Sequence, residues 1–185
     1  RLGLDSGAFV YLSLGRVRPY KGLEELLQAF HQLDEGDALL CVAGEVQDPG
    51  YERELEALTQ DDARIRLALQ FVPDEALQIY LNACDVVVLP YRHVTTSGAA
   101  VLAFSFAVPV VAPRMGCFVE LAGAQERGLL FDSSARDGLA DALRRARTLD
   151  LEEMRCACEA YAAERSWFVI ARQHAAMYRE SRRGA

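Results

Sequence analysis

The chain is short of positive charge. Lys and Arg number 20 against 27 Asp and Glu, a net charge of −7, and the isoelectric point lies near 5.0. Neither a nucleic acid nor an anionic membrane would be drawn to such a chain over long range, although a local basic site for a small anion stays open. Long hydrophobic runs are lacking too. The longest, Ala99 to Pro113, falls short of the roughly 20 residues a membrane span needs, and Pro109 interrupts it. No signal-peptide pattern opens the chain. Its first residue is Arg, not Met, as expected of a piece cut from a longer protein. Cysteine is present but unpatterned: Cys41, Cys84, Cys117, Cys156 and Cys158 are odd in number and match neither a disulfide framework nor a zinc site. Cys156 and Cys158 form C-x-C with no histidine nearby. Cys41 and Cys84 lie in or beside apolar strand signals, where a thiol behaves as a small hydrophobe. A reducing cytoplasm is the expected compartment.

What the chain does have is apolar material in a regular order. Its 185 residues suit one large domain, and 51% are hydrophobic, enough for a core covered on both faces. Strand signals fall at Ala8–Leu14, Ala38–Ala43, Ile65–Leu69, Asp85–Leu89, Pro109–Ala112 and Gly128–Phe131. Between them Leu23, Leu26, Leu27, Phe30 and Leu33 recur at helical spacing, and further helices are expected at Tyr51–Leu58, from Asp74, from Ser97 or Gly98, and over Phe118–Gly123. The remainder reads as helix: around Leu139, Leu143 and Ala146, then Leu151–Glu164 and Trp167–Tyr178. The run Asp-Val-Val-Val-Leu at 85–89 has no polar alternation, which marks a central parallel strand buried on both sides. Such β-α alternation implies a Rossmann-like, doubly wound α/β fold of about six parallel strands with helices on both faces. Right-handed crossovers place the strand-to-helix loops at the carboxyl edge, where ligands of such sheets bind. The loops to inspect are Gly15–Lys21, Gly44–Gly50, Pro90–Ser97 and Pro113–Phe118.

The first of these joins the first strand to the first helix and carries Arg16, Arg18 and Lys21 between Gly15 and Gly22. Glycine lets backbone approach a ligand closely, and the amino end of a helix already favours an anion. A diphosphate fits this cluster; so does a solvated turn with surface cations. In the loop Pro90 to Gly98, Thr96 and Ser97 suit an N-cap and Gly98 leaves backbone N–H groups open to a phosphate. An ordinary helix cap is the other reading. His93 could bond a donor hydroxyl or phosphate, or be solvated, whereas His31 and His174 fall in helical segments. A dinucleotide-dependent oxidoreductase would share this fold, but the first loop lacks G-x-G-x-x-G and carries cations in its place.

The pattern G-R-x(4)-K-G at 15–22 resembles the donor-domain signature of glycosyltransferase family 4, whose fold is the two-domain GT-B. Other segments are similar to that family in the same order: Phe71-Val72-Pro73-Asp74-Glu75-Ala76-Leu77, Ala83 to Pro90, Val108 to Ala112, Gly116-Cys117-Phe118-Val119-Glu120, and Gly128 to Phe131. The resemblance implies that residues 1–185 form one nucleotide-sugar-binding, carboxyl-terminal GT-B domain whose amino-terminal acceptor domain is absent. It implies transfer of a hexose from a UDP-, GDP- or ADP-linked donor to a glycan or lipid, with retention, as in polysaccharide biosynthesis. Peripheral membrane association would come through the missing domain only, and this half alone would turn over little. Arg16 and Lys21 would pair with the leaving diphosphate, in line with the general use of fixed cations where negative charge grows. Gly15, His93, Thr96, Ser97, Gly98 and Glu120 complete the donor contacts, and no metal or cofactor is expected, in keeping with the lack of an Asp-x-Asp motif. Glu120 either caps backbone N–H groups of the Pro113–Phe118 loop or faces the donor. Trp167 resembles the terminal helix that packs back across a GT-B interface; a core tryptophan is the alternative. One departure stands out. The family's Glu-x(7)-Glu pair would fall on Val94 and Leu102, neither of which can accept a hydrogen bond from a hydroxyl. The chain therefore reads either as a T-S-G-bearing branch that holds its donor by other groups, or as a nucleotide-sugar-binding regulatory or inactive module without catalysis.

Overall fold

In the computed structural model of the protein, which describes residues 7–59 and 61–183, six parallel strands form one sheet in the order β3-β2-β1-β4-β5-β6. The strands are β1 (Phe9–Leu14), β2 (Ala38–Ala43), β3 (Ile65–Ala68), β4 (Val86–Val88), β5 (Val110–Pro113) and β6 (Gly128–Phe131). Helices α1 (Leu23–His31), α2 (Pro49–Thr59), α3 (Asp74–Leu81), α4 (Gly98–Ser105), α5 (Cys117–Ala122) and α6 (Gly138–Ala146) separate or follow them, and α7 (Leu151–Glu164) and α8 (Trp167–Arg183) end the chain. Strand order reverses between β1 and β4, so the loops after these two strands diverge from a shared crevice at the carboxyl edge.

Alternation along the strands sorts two apolar layers. Tyr11, Leu40, Val42, Val86, Val88 and Val111 pack on one face with Leu26, Phe30, Leu55 and Leu143 from α1, α2 and α6. Val10, Leu12, Cys41, Val87, Val110 and Ala112 pack on the other with Leu81, Ala103, Phe104 and Cys158 from α3, α4 and α7. A strand covered on both sides needs apolar residues at every position, which is why β4 is three consecutive valines. Burial pushes the thiols of Cys41 and Cys84 up, to about 11 and about 12, so both stay neutral and act as packing groups. The buried Tyr11 hydroxyl donates to the carbonyl of Leu143 (2.8 Å) and ties β1 to α6.

The ends of the elements differ from the sequence reading for local reasons. Asp85 precedes β4 because its carboxylate accepts the N–H of Val10 (2.8 Å), and Leu89 follows it although it is fully buried. The loop 15–22 contains a single 3-10 turn, Pro19–Lys21, that the sequence reading did not include. Gly22 sits at φ 68° and caps α1; only glycine takes this conformation without strain. The last helix runs five residues beyond Tyr178. Trp167 is exposed, which removes the core-tryptophan alternative. No helix among the described residues is long and apolar enough to cross a membrane.

Candidate functional site

The loops after β1 and β4 meet at the backbone. A Cβ on Gly22 would collide with the carbonyl of Pro90, and one on Gly44 with the carbonyl of Gly15, so glycine at both positions is a packing requirement. Val17 N–H donates to Glu45 O (2.8 Å), and Arg92 N–H donates to Tyr20 O (2.9 Å). Arg18 Nη2 donates to Gln47 Oε1 (2.8 Å). Arg92 also reaches down to α1, donating to Glu25 Oε1 (2.7 Å) and Glu24 Oε2 (3.2 Å). Burial is the largest single influence on the Glu25 carboxyl and pushes it up, but the Arg92 hydrogen bond, a main-chain hydrogen bond and the Arg92 charge together outweigh it, and the group ends below the usual range. One rigid rim therefore joins the loops after β1, β2 and β4.

Within this rim lies a pocket of about 310 Å³ that gathers Gly15, Lys21, Thr96, Ser97 and Gly98 with Tyr20, Tyr91, Leu14, Leu77, Ala99 and Leu102. Ser97 caps α4 by accepting the N–H of Ala100 (3.2 Å), so Gly98 opens the helix with its amino end on the pocket. Lys21 Nζ lies 5.2 Å from the ring centroid of Tyr91, and Tyr91 is buried, its phenol pushed up to about 12 by desolvation. The Lys21 ammonium is itself held below its ordinary pKa, by desolvation alone, with no carboxylate contributing. A half-buried cation beside a helix amino end, with no anionic partner among the described residues, is an arrangement that an anionic ligand would complete.

Five of the eight sequence-selected residues line this pocket; the others are placed differently. Arg16 is exposed on the same loop and is not among the lining residues. His93 is exposed at the rim, its ring 5.2 Å from that of Tyr20 and inclined at 31°. Glu120 lines a neighbouring hollow of about 480 Å³ with Thr96, Ser97, Gly98, Val101, Cys117 and Leu121. The loop-capping role expected of Glu120 is not seen. Hydrogen bonds at this residue run to its main-chain carbonyl, from Gly123 N–H (3.2 Å) and Arg127 Nη2 (3.4 Å). The loop is closed by Met115 N–H to Pro113 O and Arg114 N–H to Phe131 O, both 2.8 Å, so no side-chain cap is needed. Val94 meets Gly116, which at φ +50° could not carry a Cβ without striking the Val94 carbonyl.

Tyr20 and Tyr91 are the site residues that sequence reading left without a role. The available signal was an aromatic residue in a polar ligand-edge loop, where function outweighs packing as the reason for its presence. A separate hollow of about 360 Å³ between α1 and α6 contains Glu25, Asp132, Asp137, Arg92 and Arg136. Its carboxylates outnumber its cations and Arg92 is already paired, so it suits a diphosphate less well than the Lys21 pocket.

Known proteins are similar to this chain in sequence and fold. The family described as "Glycosyl transferases group 1" matches residues 1–165. A GDP-mannose:glycolipid 4-beta-D-mannosyltransferase from Xanthomonas campestris pv. campestris is 33% identical over 141 residues, which cover 73% of this chain and 40% of that relative. Sucrose-phosphate synthase from Thermosynechococcus elongatus superposes with a TM-score of 0.80 at 26% identity, over 100% of this chain and 48% of that one. HepE from Anabaena in complex with UDP gives a TM-score of 0.82 at 23% identity, over 95% of this chain and 50% of that one. The chain thus spans about half the length of the proteins it matches. With its match over residues 1–165, the chain belongs to the group 1 glycosyltransferases.

Proposed function

We propose that the chain is the donor-binding half of a hexosyltransferase and that the Lys21 pocket holds the diphosphate of a nucleotide-linked hexose. The observation that carries this reading is Lys21 itself. It is the only lysine in the sequence, it is desolvated without a carboxylate partner, and it shares its pocket with Ser97 and Gly98 at the start of α4. Transfer of the hexose breaks its bond to the diphosphate, and negative charge grows on the departing oxygen. Lys21 and the amino end of α4 stabilise that charge, and Arg16 moves in from the loop surface as the ligand arrives. Thr96 and His93 contribute donor contacts from the rim, and Glu120 faces the transferred hexose from the adjoining hollow. These cations neutralise the diphosphate without a metal ion or other cofactor.

The HepE complex with UDP and the mannosyltransferase named for GDP-mannose support a nucleoside diphosphate as the leaving group. The chain's coverage of about half of each supports a second, amino-terminal domain that carries the acceptor site, for a glycan or lipid. Exposed Trp167, Phe168, Met177 and Tyr178 on α8 provide an apolar surface for that domain. Retention of configuration, which the family resemblance implies, is part of this reading and is tested on the product.

Calorimetric titration with UDP, GDP and ADP tests the assignment. At least one should bind, binding should persist in EDTA, and Lys21→Ala should weaken it. A double Arg16→Ala/Lys21→Ala variant with unchanged affinity would overturn the phosphate site. The second reading, a nucleotide-sugar-binding module without catalysis, draws on Val94 and Leu102 in place of hydroxyl-reading groups. Activity of the full-length protein, followed by the anomeric configuration of its product, separates the two.

A further inference from the structure

The Lys21 pocket is lined by two chemically distinct sets of side chains. Its polar side chains, Tyr20, Lys21, Tyr91, Thr96 and Ser97, all come from the loops after β1 and β4, whereas Leu14, Leu77, Ala99 and Leu102 come from the end of β1 and the sides of α3 and α4. Leu102 lies four residues beyond Gly98 in α4, one turn and about 6 Å along the axis from the helix amino end. A pentose whose 5′-phosphate sits at that amino end would reach about this depth. The side chains that α3, α4 and the end of β1 offer it there are aliphatic: none of those four has a hydrogen-bonding atom. The Ser97 hydroxyl, at the cap of α4, accepts the N–H of Ala100.

Building on the donor-site reading, we infer that this pocket holds the donor's pentose by packing and does not read its 2′-hydroxyl, so that 2′-deoxyribonucleoside diphosphates and their sugar conjugates are substrates of the same class as the ribonucleotides. A site built to hydrogen-bond a hydroxyl strongly rejects the analogue that lacks it, because its own polar groups are then left unpaired; an apolar site pays no such penalty. Seating an unpaired 2′-hydroxyl among Leu14, Leu77 and Leu102 would instead favour the deoxy form.

Calorimetric titration of the chain with three matched pairs, UDP, GDP and ADP each with its 2′-deoxy counterpart, tests this. In any pair that binds, the deoxynucleotide should bind within threefold of the ribonucleotide or more tightly. A ribonucleotide preference above threefold overturns the inference while leaving the diphosphate site standing, and no binding of any of the six overturns both. Leu102→Gln, which places an amide at the same depth, should move the ratio toward the ribonucleotide by roughly fivefold, one hydrogen bond's worth. An unchanged ratio in a folded Leu102→Gln protein that still binds nucleotide would show that the pentose lies elsewhere, and would equally overturn the inference.

Discussion

Helices α1 and α8 are written in the same amphipathic style and meet opposite fates. Leu23, Leu26, Leu27 and Phe30 of α1 are all buried against the sheet, while Trp167 and Tyr178 of α8 are 86% and 71% exposed. The difference teaches that periodicity reports an apolar face but not where its partner lies. For α1 the partner is in this chain, in Tyr11, Leu40 and Val42. For the outer side chains of α8 none is found among the described residues.

Paired substitutions would sharpen or break this contrast. Phe30→Ala should cost about 3–5 kcal/mol of stability, as expected for an aromatic ring removed from a packed core. Trp167→Ala should stay within about 0.5 kcal/mol. Urea unfolding measures both, and comparable losses would mean that α8 is held by this chain after all.

A smaller effect is expected where α1 meets the site. Lys21→Ala should weaken nucleoside-diphosphate binding by about 1–3 kcal/mol, the range for a charge-assisted hydrogen bond, while leaving stability unchanged or slightly raised. The sign follows from the lowered pKa of Lys21 in the folded chain. Between that value and 10.5 the unfolded chain binds more protons than the folded one, so the Lys21 contribution to stability rises with pH. Diphosphate affinity must move the other way and fall over the same window as the ammonium is lost. Melting temperature and titration at stepped alkaline pH read the two trends, and parallel movement would remove Lys21 from the site.

Ser97→Ala comes last in magnitude. Loss of a capping hydroxyl costs typically about 1 kcal/mol, and here it should lower stability and nucleotide affinity together because the same turn opens α4 onto the pocket. A stability loss with unaltered affinity, measured by unfolding and titration of one sample, would assign Ser97 to the cap alone.

The fold could be read in advance wherever a single physical demand governed the residues. Ala38–Ala43, Gly128–Phe131 and Leu151–Glu164 have the bounds that their apolar patterns implied, and β4 is central because nothing polar could sit there. The 3-10 turn at Pro19–Lys21 stayed hidden because it buries no residue and so leaves no periodic trace. At the candidate site, spacing brought forward loops that meet around one pocket but could not rank the cations within them. Arg16 and Lys21 look alike in sequence; only the tertiary fold puts Lys21 over the Tyr91 ring and leaves Arg16 in water. Glu120 carried two readings, and spacing could not choose between them; the loop is closed by main-chain hydrogen bonds, and α5 places the carboxylate in the hollow beside Thr96 and Ser97. For Tyr91 the signal in its own loop was only that of an aromatic among polar neighbours; its burial comes from contacts distant in sequence, such as Phe118.

The solitary lysine has one more consequence. Apart from three histidines, every other basic side chain of this protein is a guanidinium, which does not give up its proton at any ordinary pH. Apart from the chain terminus, Lys21 is therefore the one amine that an acylating or reductively alkylating reagent can meet, and its lowered pKa leaves more of it in the nucleophilic free-base form than a solvated lysine would have. The protein carries its own chemical footprinting tag: the rate at which it takes up a single label becomes a direct reading of whether that pocket is empty or filled.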